Sequence, residues 1–243
     1  MDEGARLRSF SLGFDAKPLR AHLDDIRFLV FGRALPAVFF GVITWNVLHN
    51  LLSLTNQVLA DVTFVGVLAL LPTALYLLFC AIPVGVYLTR PRPRARDGRL
   101  IARAAGLLGT TALLIVGILG GPVLYQSPWG LQLAAVCLEI VAFTLGVWGL
   151  LTLRRNLSII PEARGLVTSG PYHFIRHPLY TAEILAAITV VVAHPALWAV
   201  VGIIPFIALQ LARATFEEGL LRQTFPAYAT YIARTPRLVP GVW

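Results

Sequence analysis

Charged residues are scarce in this chain. Asp, Glu, Lys and Arg make up 13% of the 243 residues, hydrophobic residues make up 57%, and the mean hydropathy is +0.75. Soluble domains carry about 25% charged residues. The deficit, together with apolar runs near the length of a membrane span, excludes an ordinary soluble domain and predicts a polytopic helical membrane protein.

Cysteine and one glycine pattern are also lacking. The two cysteines, Cys80 and Cys137, stand inside apolar runs without a C-x-x-C pair or a cysteine–histidine spacing. We therefore expect both to be small buried apolar residues, and we predict no metal site. The 20 glycines form no G-x-G, which excludes the glycine-rich turn by which soluble nucleotide-binding domains hold a cofactor.

Lysine is nearly absent, since 19 of the 20 basic residues are arginine. The basic residues all fall in four segments, 1–33, 89–103, 154–178 and 213–243. The positive-inside rule predicts that these segments, and with them both termini, are cytoplasmic. In a bacterium the membrane would be the inner one. This clustering argues against a nucleic-acid partner despite the net charge of +8, and it predicts that the loop RPRPRARDG (90–98) anchors the topology.

Six apolar segments are candidate membrane helices: 30–52, 62–88, 100–121, 129–153, 179–194 and 196–212. The sequence thus predicts an all-α transmembrane bundle, with four spans in residues 1–153 and a second region in residues 154–243. The last two segments meet at AHPAL (193–197) and predict a short helical hairpin. An amphipathic cytoplasmic helix is predicted to follow the hairpin.

The segment 154–178 is too polar to lie in lipid, and it contains most of the loop GLVTSGPYHFIRHPLY (165–180). Its Gly-Pro pair breaks any helix, and Pro178 suits the first turn of the next one. His177 and Tyr180 share a face of that turn, whose free N–H groups favour an anionic group. We therefore predict an aromatic, hydrogen-bonding pocket at the cytoplasmic surface.

A second polar cluster follows the sixth segment. Arg213 and Glu217 are four residues apart, and Glu218 and Arg222 repeat the spacing one residue later. Such pairs also occur as plain surface ion pairs. Because the hairpin returns to the side from which it started, we expect this cluster to lie beside the loop 165–180 and to form a binding site with it.

Two acidic residues fall inside apolar segments. Ionisable groups at membrane depth are costly and usually face a cavity or a partner. For Glu139 we predict a buried structural hydrogen bond. For Glu183, which follows the loop closely, a role in the site and a structural role both remain open.

Several motifs in the C-terminal part of the chain resemble those of a known family. LVTSGPYHFIRHPLY (166–180), then a hairpin, R-x-x-x-E-E (213–218) and F-P-A-Y-x-x-Y-x-x-R-x-P (225–236) are similar to the isoprenylcysteine carboxyl methyltransferase family. Membrane phospholipid N-methyltransferases share this signature. The resemblance covers about residues 150–241. Where the family often has an acidic GEEY-like stretch, this chain has the shorter PAY, which leaves the roles of Tyr228, Tyr231 and Arg234 open.

The resemblance implies a membrane methyltransferase that uses S-adenosylmethionine on the cytoplasmic side, with its catalytic region in residues 154–243. By matching position, the implied cofactor contacts are Ser169, Gly170, Pro171, Tyr172, His177, Tyr180 and Glu217. Arg213 would bind and orient the methyl acceptor, and Arg213, Glu217 and Glu218 are the implied catalytic residues. A carboxylate acceptor needs positioning but no base, whereas an amine acceptor would lose a proton, to Glu218 or Glu183.

Several substrates and functions remain open. The favoured acceptor is the carboxylate of a prenylated cysteine or a similar amphiphile that enters from the bilayer, and the alternative is a phospholipid amine. A sterol-type reductase using NADPH would need basic residues for the 2′-phosphate, which Arg154, Arg155 and Arg164 could supply. A non-enzymatic transporter or assembly protein is the remaining alternative. The oligomeric state stays open.

Overall fold

The computed structural model describes residues 16–119 and 124–241. Within them the chain folds into eight α-helices and one two-stranded sheet. The helices are α1 (Ala16–Leu29), α2 (Leu35–Ala60), α3 (Phe64–Thr89), α4 (Leu100–Leu119), α5 (Trp129–Leu153), α6 (Pro178–Ala193), α7 (Leu197–Thr224) and α8 (Tyr228–Ile232). The strands are β1 (Ala95–Arg96) and β2 (Glu162–Ala163). The predicted all-α polytopic architecture is confirmed.

Four stretches are long and apolar enough to cross a membrane: His22–Ala60, Phe64–Thr89, Trp129–Asn156 and Leu197–Thr224. The first is continuous because a π-helical turn, Val30–Ala34, joins α1 to α2. The apolar helices Leu100–Ala112 and Pro178–Ala193 are shorter. All six predicted apolar segments are thus helical, although the last residues predicted for the third, 120 and 121, lie outside the described part.

The last long helix differs from the prediction in its length. We expected a span ending at residue 212 and a separate amphipathic helix, but α7 continues without a break to Thr224 and has 28 residues. No helix-breaking proline follows until Pro226, and Arg213 finds a partner inside the bundle. Because this charge is paired, the helix does not need to leave the apolar region at that point.

Helix packing places the loop and the end of α7 together. α3 packs between α2 and α5, α5 packs on α6, and α7 packs on both α6 and α4. Small residues allow close approach, since a Cβ on Gly146 would meet the Phe79 ring at 2.8 Å and one on Gly149 would meet Leu179 at 2.9 Å. The starts of α4 and α6 and the ends of α3, α5 and α7 therefore meet at one end of the bundle, here called the basic end.

At the basic end two connecting loops are tied together. β1 and β2 pair antiparallel, with Ala95 opposite Ala163 and Arg96 opposite Glu162. The loop 90–98, predicted only as a topology anchor, is therefore an ordered part of the fold. Arg90 is 3% exposed, and its Nε donates to the carbonyl of Gly32 at 2.6 Å, which fixes the π-helical turn as well.

The paired loops around β1 and β2 are here called the clasp, and Glu162 lies at its centre. Its buried carboxylate accepts hydrogen bonds from Arg96 Nε at 2.6 Å, Arg164 Nη2 at 2.7 Å and the Ser158 hydroxyl at 2.7 Å, and Arg90 Nη1 lies 3.6 Å away. Burial alone would raise the pKa of Glu162, but Arg164, Ser158 and Arg96 outweigh it, so the pKa lies below its ordinary value.

This pKa predicts an acid-sensitive clasp. A depressed folded-state pKa stabilises the fold above the pKa of an unfolded glutamate, and the stabilisation is lost as the pH falls through the folded-state pKa. Glu162→Gln leaves three arginines without their counter-charge and should cost about 3–5 kcal/mol at neutral pH. Melting temperatures in detergent between pH 7 and pH 3 test this. The variant should be less stable at pH 7 and lose less on acidification, whereas the exposed-site control Asp61→Asn should follow the wild type.

The contact between α4 and the loop after α5 gives a second prediction. A Cβ on Gly106 would stand 2.4 Å from the carbonyl oxygen of Ile159, whereas one on Gly85 in α3 would have nothing within 4 Å. Gly106→Ala should therefore cost about 1–3 kcal/mol through overpacking. Gly85→Ala should be neutral or stabilise by up to about 1 kcal/mol. Equal melting temperatures for the two variants would contradict this close contact.

Candidate active site

A cavity of about 460 Å³ begins at the basic end and continues between the helices. Its polar wall comes from the loop before α6, from α6 and from the end of α7. Tyr172, His177, Tyr180, Arg213 and Glu217 all border this cavity. The two polar clusters that the topology was predicted to bring together therefore share one cavity.

A tight turn positions the first aromatic side chain. Gly170 has φ +59°, a left-handed conformation that glycine adopts without strain, and a Cβ there would meet the Thr152 hydroxyl oxygen at 2.7 Å. The 3₁₀ turn Gly170–His173 then buries Tyr172, and the Tyr231 hydroxyl donates to the carbonyl of Tyr172 at 2.6 Å. Burial and the nearby Glu217 carboxylate raise the pKa of Tyr172, so its phenol stays protonated.

Arg213 is held by a buried polar network. Its Nη1 donates to Glu183 Oε2 at 3.1 Å and to Gln210 Oε1 at 2.8 Å, and Gln210 Nε2 donates to the same Glu183 oxygen at 2.7 Å. The guanidinium also lies 4.5 Å from the centroid of the Tyr180 ring. Among the described residues, Arg213 Nε is buried and has no hydrogen-bond partner. The network thus fixes the side chain, and the buried Nε–H is left without an acceptor among the described residues.

Glycine on α4 makes room for this arginine. A Cβ on Gly109 would lie 2.4 Å from Arg213 Cδ, and the carbonyl of Gly109 accepts from Gln210 Nε2 at 3.3 Å. α4 therefore closes one side of the site, although no sequence pattern indicated that this helix takes part.

The adjacent carboxylates of α7 have different surroundings. Glu217 borders the cavity, where the Tyr180 hydroxyl donates to its Oε1, and the Tyr180 ring stacks on His177 with centroids 5.3 Å apart. Glu218 points away from the cavity. Its Oε1 lies 3.0 Å from both Arg176 Nη1 and His177 Nε2.

Two more arginines complete the cluster around Glu218. Arg237 Nε lies 3.3 Å from Glu218 Oε1, and the more exposed Arg222 lies 3.6 Å from Oε2. Backbone bonds reinforce the contact, since the amides of Arg176 and His177 donate to the carbonyls of Pro236 and Arg237 at 2.9 Å and 3.1 Å. The C-terminal segment is thereby fixed to the loop before α6.

The remaining predicted cofactor contacts lie outside the cavity wall. Ser169 is exposed, and Gly170 and Pro171 form the turn that positions Tyr172. Tyr228 and Tyr231, whose roles the sequence left open, do border the cavity, whereas Arg234 is exposed. The sequence analysis missed Gln210, although a glutamine three residues before Arg213 in an apolar run was a usable signal.

The cysteines and acidic residues of the apolar helices differ in their surroundings. Cys80 is buried, but Cys137 is exposed, so the prediction that both cysteines are buried is wrong for Cys137, which lies on the outer face of α5. Glu139 accepts a hydrogen bond from the Thr189 hydroxyl at 3.1 Å, and Glu183 belongs to the Arg213 network. Among the described residues no group of three or more His, Cys, Asp or Glu could hold a metal ion.

Beyond the polar wall the cavity becomes apolar and aromatic. Phe39 and Phe40 of α2, Phe79 of α3 and Phe143 of α5 border this part. The cavity therefore joins the polar end to the membrane-spanning part of the bundle, and it is lined by helices that precede the recognised motif.

The comparison with known families fits this site. Residues 130–223 match the model of the isoprenylcysteine carboxyl methyltransferase family. This region, less than half of the chain, is similar to that family. The match covers α5, the loop before α6, the hairpin and both acidic residues of α7, which are the parts that build the polar wall. The chain is thus a helical membrane protein with a region similar to a methyltransferase family.

Two relatives carry names from metal resistance. The chain is 38% identical over 80 residues to the cobalt-zinc-cadmium resistance protein CzcN of Cupriavidus metallidurans. This alignment covers 31% of the present chain and 35% of the relative. It is 26% identical over 134 residues to the nickel-cobalt-cadmium resistance protein NccN of Alcaligenes xylosoxydans xylosoxydans. This second alignment covers 53% of the present chain and 60% of the relative. The chain thus spans about a third and three fifths of the lengths of these relatives.

The different surroundings of Glu217 and Glu218 predict losses of stability of unequal size when each is replaced by alanine. Glu218→Ala leaves Arg176 and Arg237 without their shared carboxylate and should cost about 3–5 kcal/mol. Glu217→Ala loses one hydrogen bond at the cavity wall and should cost about 1 kcal/mol. Thermal unfolding of the purified protein in detergent tests this, and a larger loss for Glu217→Ala would contradict the assignment of Glu218 to a structural cluster.

Proposed function

We propose that the protein is an S-adenosylmethionine-dependent integral membrane methyltransferase. Its acceptor would be an amphiphile in the bilayer, best the carboxylate of a prenylated cysteine or a similar compound. The observation that supports this most is one cavity with Arg213, Glu217 and tyrosines at one end and a phenylalanine-lined interior at the other. Such a cavity suits a polar reacting group attached to an apolar tail.

The polar wall fits the proposed cofactor. Bound there, S-adenosylmethionine would supply an electrophilic methyl group on a sulfonium cation. The Glu217 carboxylate can accept hydrogen bonds from its ammonium or ribose hydroxyl groups, and the rings of Tyr172 and Tyr180 offer faces for a cation or an adenine. The volume of about 460 Å³ lies in the range of ligand pockets. His177 would act through Tyr180, on which it stacks.

Arg213 would position the acceptor. Glu183 and Gln210 hold its Nη1, so the guanidinium orientation is set before any ligand binds, and its Nε–H remains for a carboxylate oxygen. A carboxylate is already ionised at neutral pH, so the site needs to align it rather than deprotonate it. Burial of Arg213 among Tyr180 and Gly109 would keep water away from the reacting groups.

The same contacts favour a carboxylate over an amine acceptor. An amine would pass its proton to a carboxylate, and Glu218 is turned from the cavity and bound by several cations. Glu183 is paired with Arg213. Of the arginines that a nicotinamide reductase would need, Arg164 is committed to Glu162 and to the carbonyl of Pro91, which weakens that alternative.

Calorimetric titration with S-adenosylhomocysteine tests the cofactor and its site together. We expect saturable binding to detergent-purified protein and at least about a tenfold loss in Glu217→Ala, because a charge-assisted hydrogen bond contributes about 1.5–3 kcal/mol. The control is Gln223→Ala, an exposed polar residue on the same helix, which should bind like the wild type. Absence of binding to folded wild-type protein, or binding of NADPH in its place, would overturn the proposal.

A further inference from the structure

A second groove, of about 840 Å³, lies at the basic end beside the cavity of the proposed active site. Glu218 borders only this groove and Glu217 borders only the cavity, whereas Arg176 and Leu220 border both. The two spaces therefore share a wall but are lined by different faces of α7. The groove is here called the arginine groove.

The arginine groove has an excess of positive charge. Two carboxylates, Asp97 and Glu218, line it together with five arginines: Arg96, Arg99, Arg176, Arg222 and Arg237. Arg99 is matched by Asp97, and Arg96 is matched by Glu162 of the clasp. The excess thus lies around Glu218, where three arginines share one carboxylate. Membrane topology favours arginine anywhere in these segments, so it does not explain this convergence.

The three arginines around Glu218 are close enough to contact one ligand group. Arg176 Nη1 and Arg237 Nε lie 3.0 Å and 3.3 Å from the same oxygen, Glu218 Oε1, so the two nitrogen atoms are at most about 6 Å apart. Arg222 Nη2 lies 3.6 Å from the other carboxylate oxygen. A phosphate group that accepts hydrogen bonds at about 2.8 Å through two of its oxygens bridges donors up to roughly 8 Å apart.

The arginine groove is open to solvent on the side of Arg222. The Arg222 side chain is 58% exposed. Three residues earlier on α7, a Cβ on Gly219 would meet no atom of the described residues within 4 Å. The Arg99 side chain is 59% exposed, and its guanidinium carbon lies 4.9 Å from the centroid of the Phe216 ring, also on α7. An anion can therefore approach Arg222 from solvent across the open position at Gly219.

We propose that Arg176, Arg222 and Arg237 form a binding site for a phosphate group. A guanidinium stays charged, and its planar N–H pairs match the oxygens of a phosphate. The phosphate could belong to an anionic lipid headgroup, because basic pockets at the ends of membrane helices bind such headgroups, or to free phosphate, which has the same chemistry. The site uses none of the residues proposed to bind the cofactor or the acceptor, so it does not depend on methyl transfer.

Two anionic probes distinguish the sources of the phosphate group. Inorganic phosphate and a short-chain phosphatidylglycerol are each titrated by calorimetry into the full chain in neutral detergent at low ionic strength. Lipid binding counts only where it exceeds that of the matching phosphatidylcholine, whose headgroup has no net charge. Saturable binding of inorganic phosphate supports a site for free phosphate. A preference for phosphatidylglycerol without binding of inorganic phosphate supports a lipid headgroup. Added salt should weaken either interaction.

A matched pair of variants at Gly219 locates the site. Gly219→Asp places a carboxylate at the open position and should weaken binding of the anionic probe at least about threefold through like-charge repulsion. Gly219→Asn has nearly the same size without the charge and should bind like the wild type. Arg222→Gln should weaken binding about fivefold. Arg27→Gln, which changes a 73% exposed arginine of α1, should leave it unchanged.

Folding does not obscure the result, because these positions are open or exposed and all four variants should melt like the wild type. The site is overturned by a folded wild type that shows neither binding of inorganic phosphate nor a preference for phosphatidylglycerol. Equal losses in Gly219→Asp and Gly219→Asn would also overturn it. A loss in Arg27→Gln as large as that in Arg222→Gln would do the same, because it would show unspecific attraction to a basic surface.

Discussion

The buried pair of Arg213 and Glu183 is the interaction on which the site depends. Arg213 is 4% exposed, and isolating a guanidinium at that depth without a counter-charge would cost several kcal/mol. Glu183 supplies the charge from α6, Gln210 connects the two, and Gly109 of α4 leaves the space. Three helices therefore have to meet at this point, and their meeting defines one wall of the cavity.

The neighbouring carboxylates of α7 have different roles. Successive residues of a helix point about 100° apart, so Glu217 and Glu218 face different sides of α7. Glu218 contacts Arg176, His177 and Arg237, and these contacts fix the loop before α6 to the C-terminal segment. These three residues contact Glu218, whereas Glu217 keeps its hydrogen bond from Tyr180 and remains at the cavity wall.

Local patterns and distant contacts were not equally predictable. The six apolar helices and the start of α6 at Pro178 follow from hydropathy and from proline chemistry within a few residues. Arg213 of α7 pairs with Glu183, which lies 30 residues away, and the clasp joins Arg96 to Glu162 across 66 residues. No local pattern specifies such pairs. Sequence reasoning therefore predicted which polar residues gather at the basic end but not what holds them there.

Under the proposed function, the polar wall of the cavity would bind the reacting group and its apolar part would bind the tail. The family match begins at residue 130, whereas Phe39, Phe40 and Phe79, which border the apolar part, precede it. Polar residues that align a carboxylate tolerate little change, because alignment depends on fixed distances and angles. Apolar walls accept hydrophobic substitutions of similar volume at small cost. If the proposed function holds, the region that matches the family can stay constant while α2 and α3 change the tails that are accepted, so substrate identity has to be sought outside the motif.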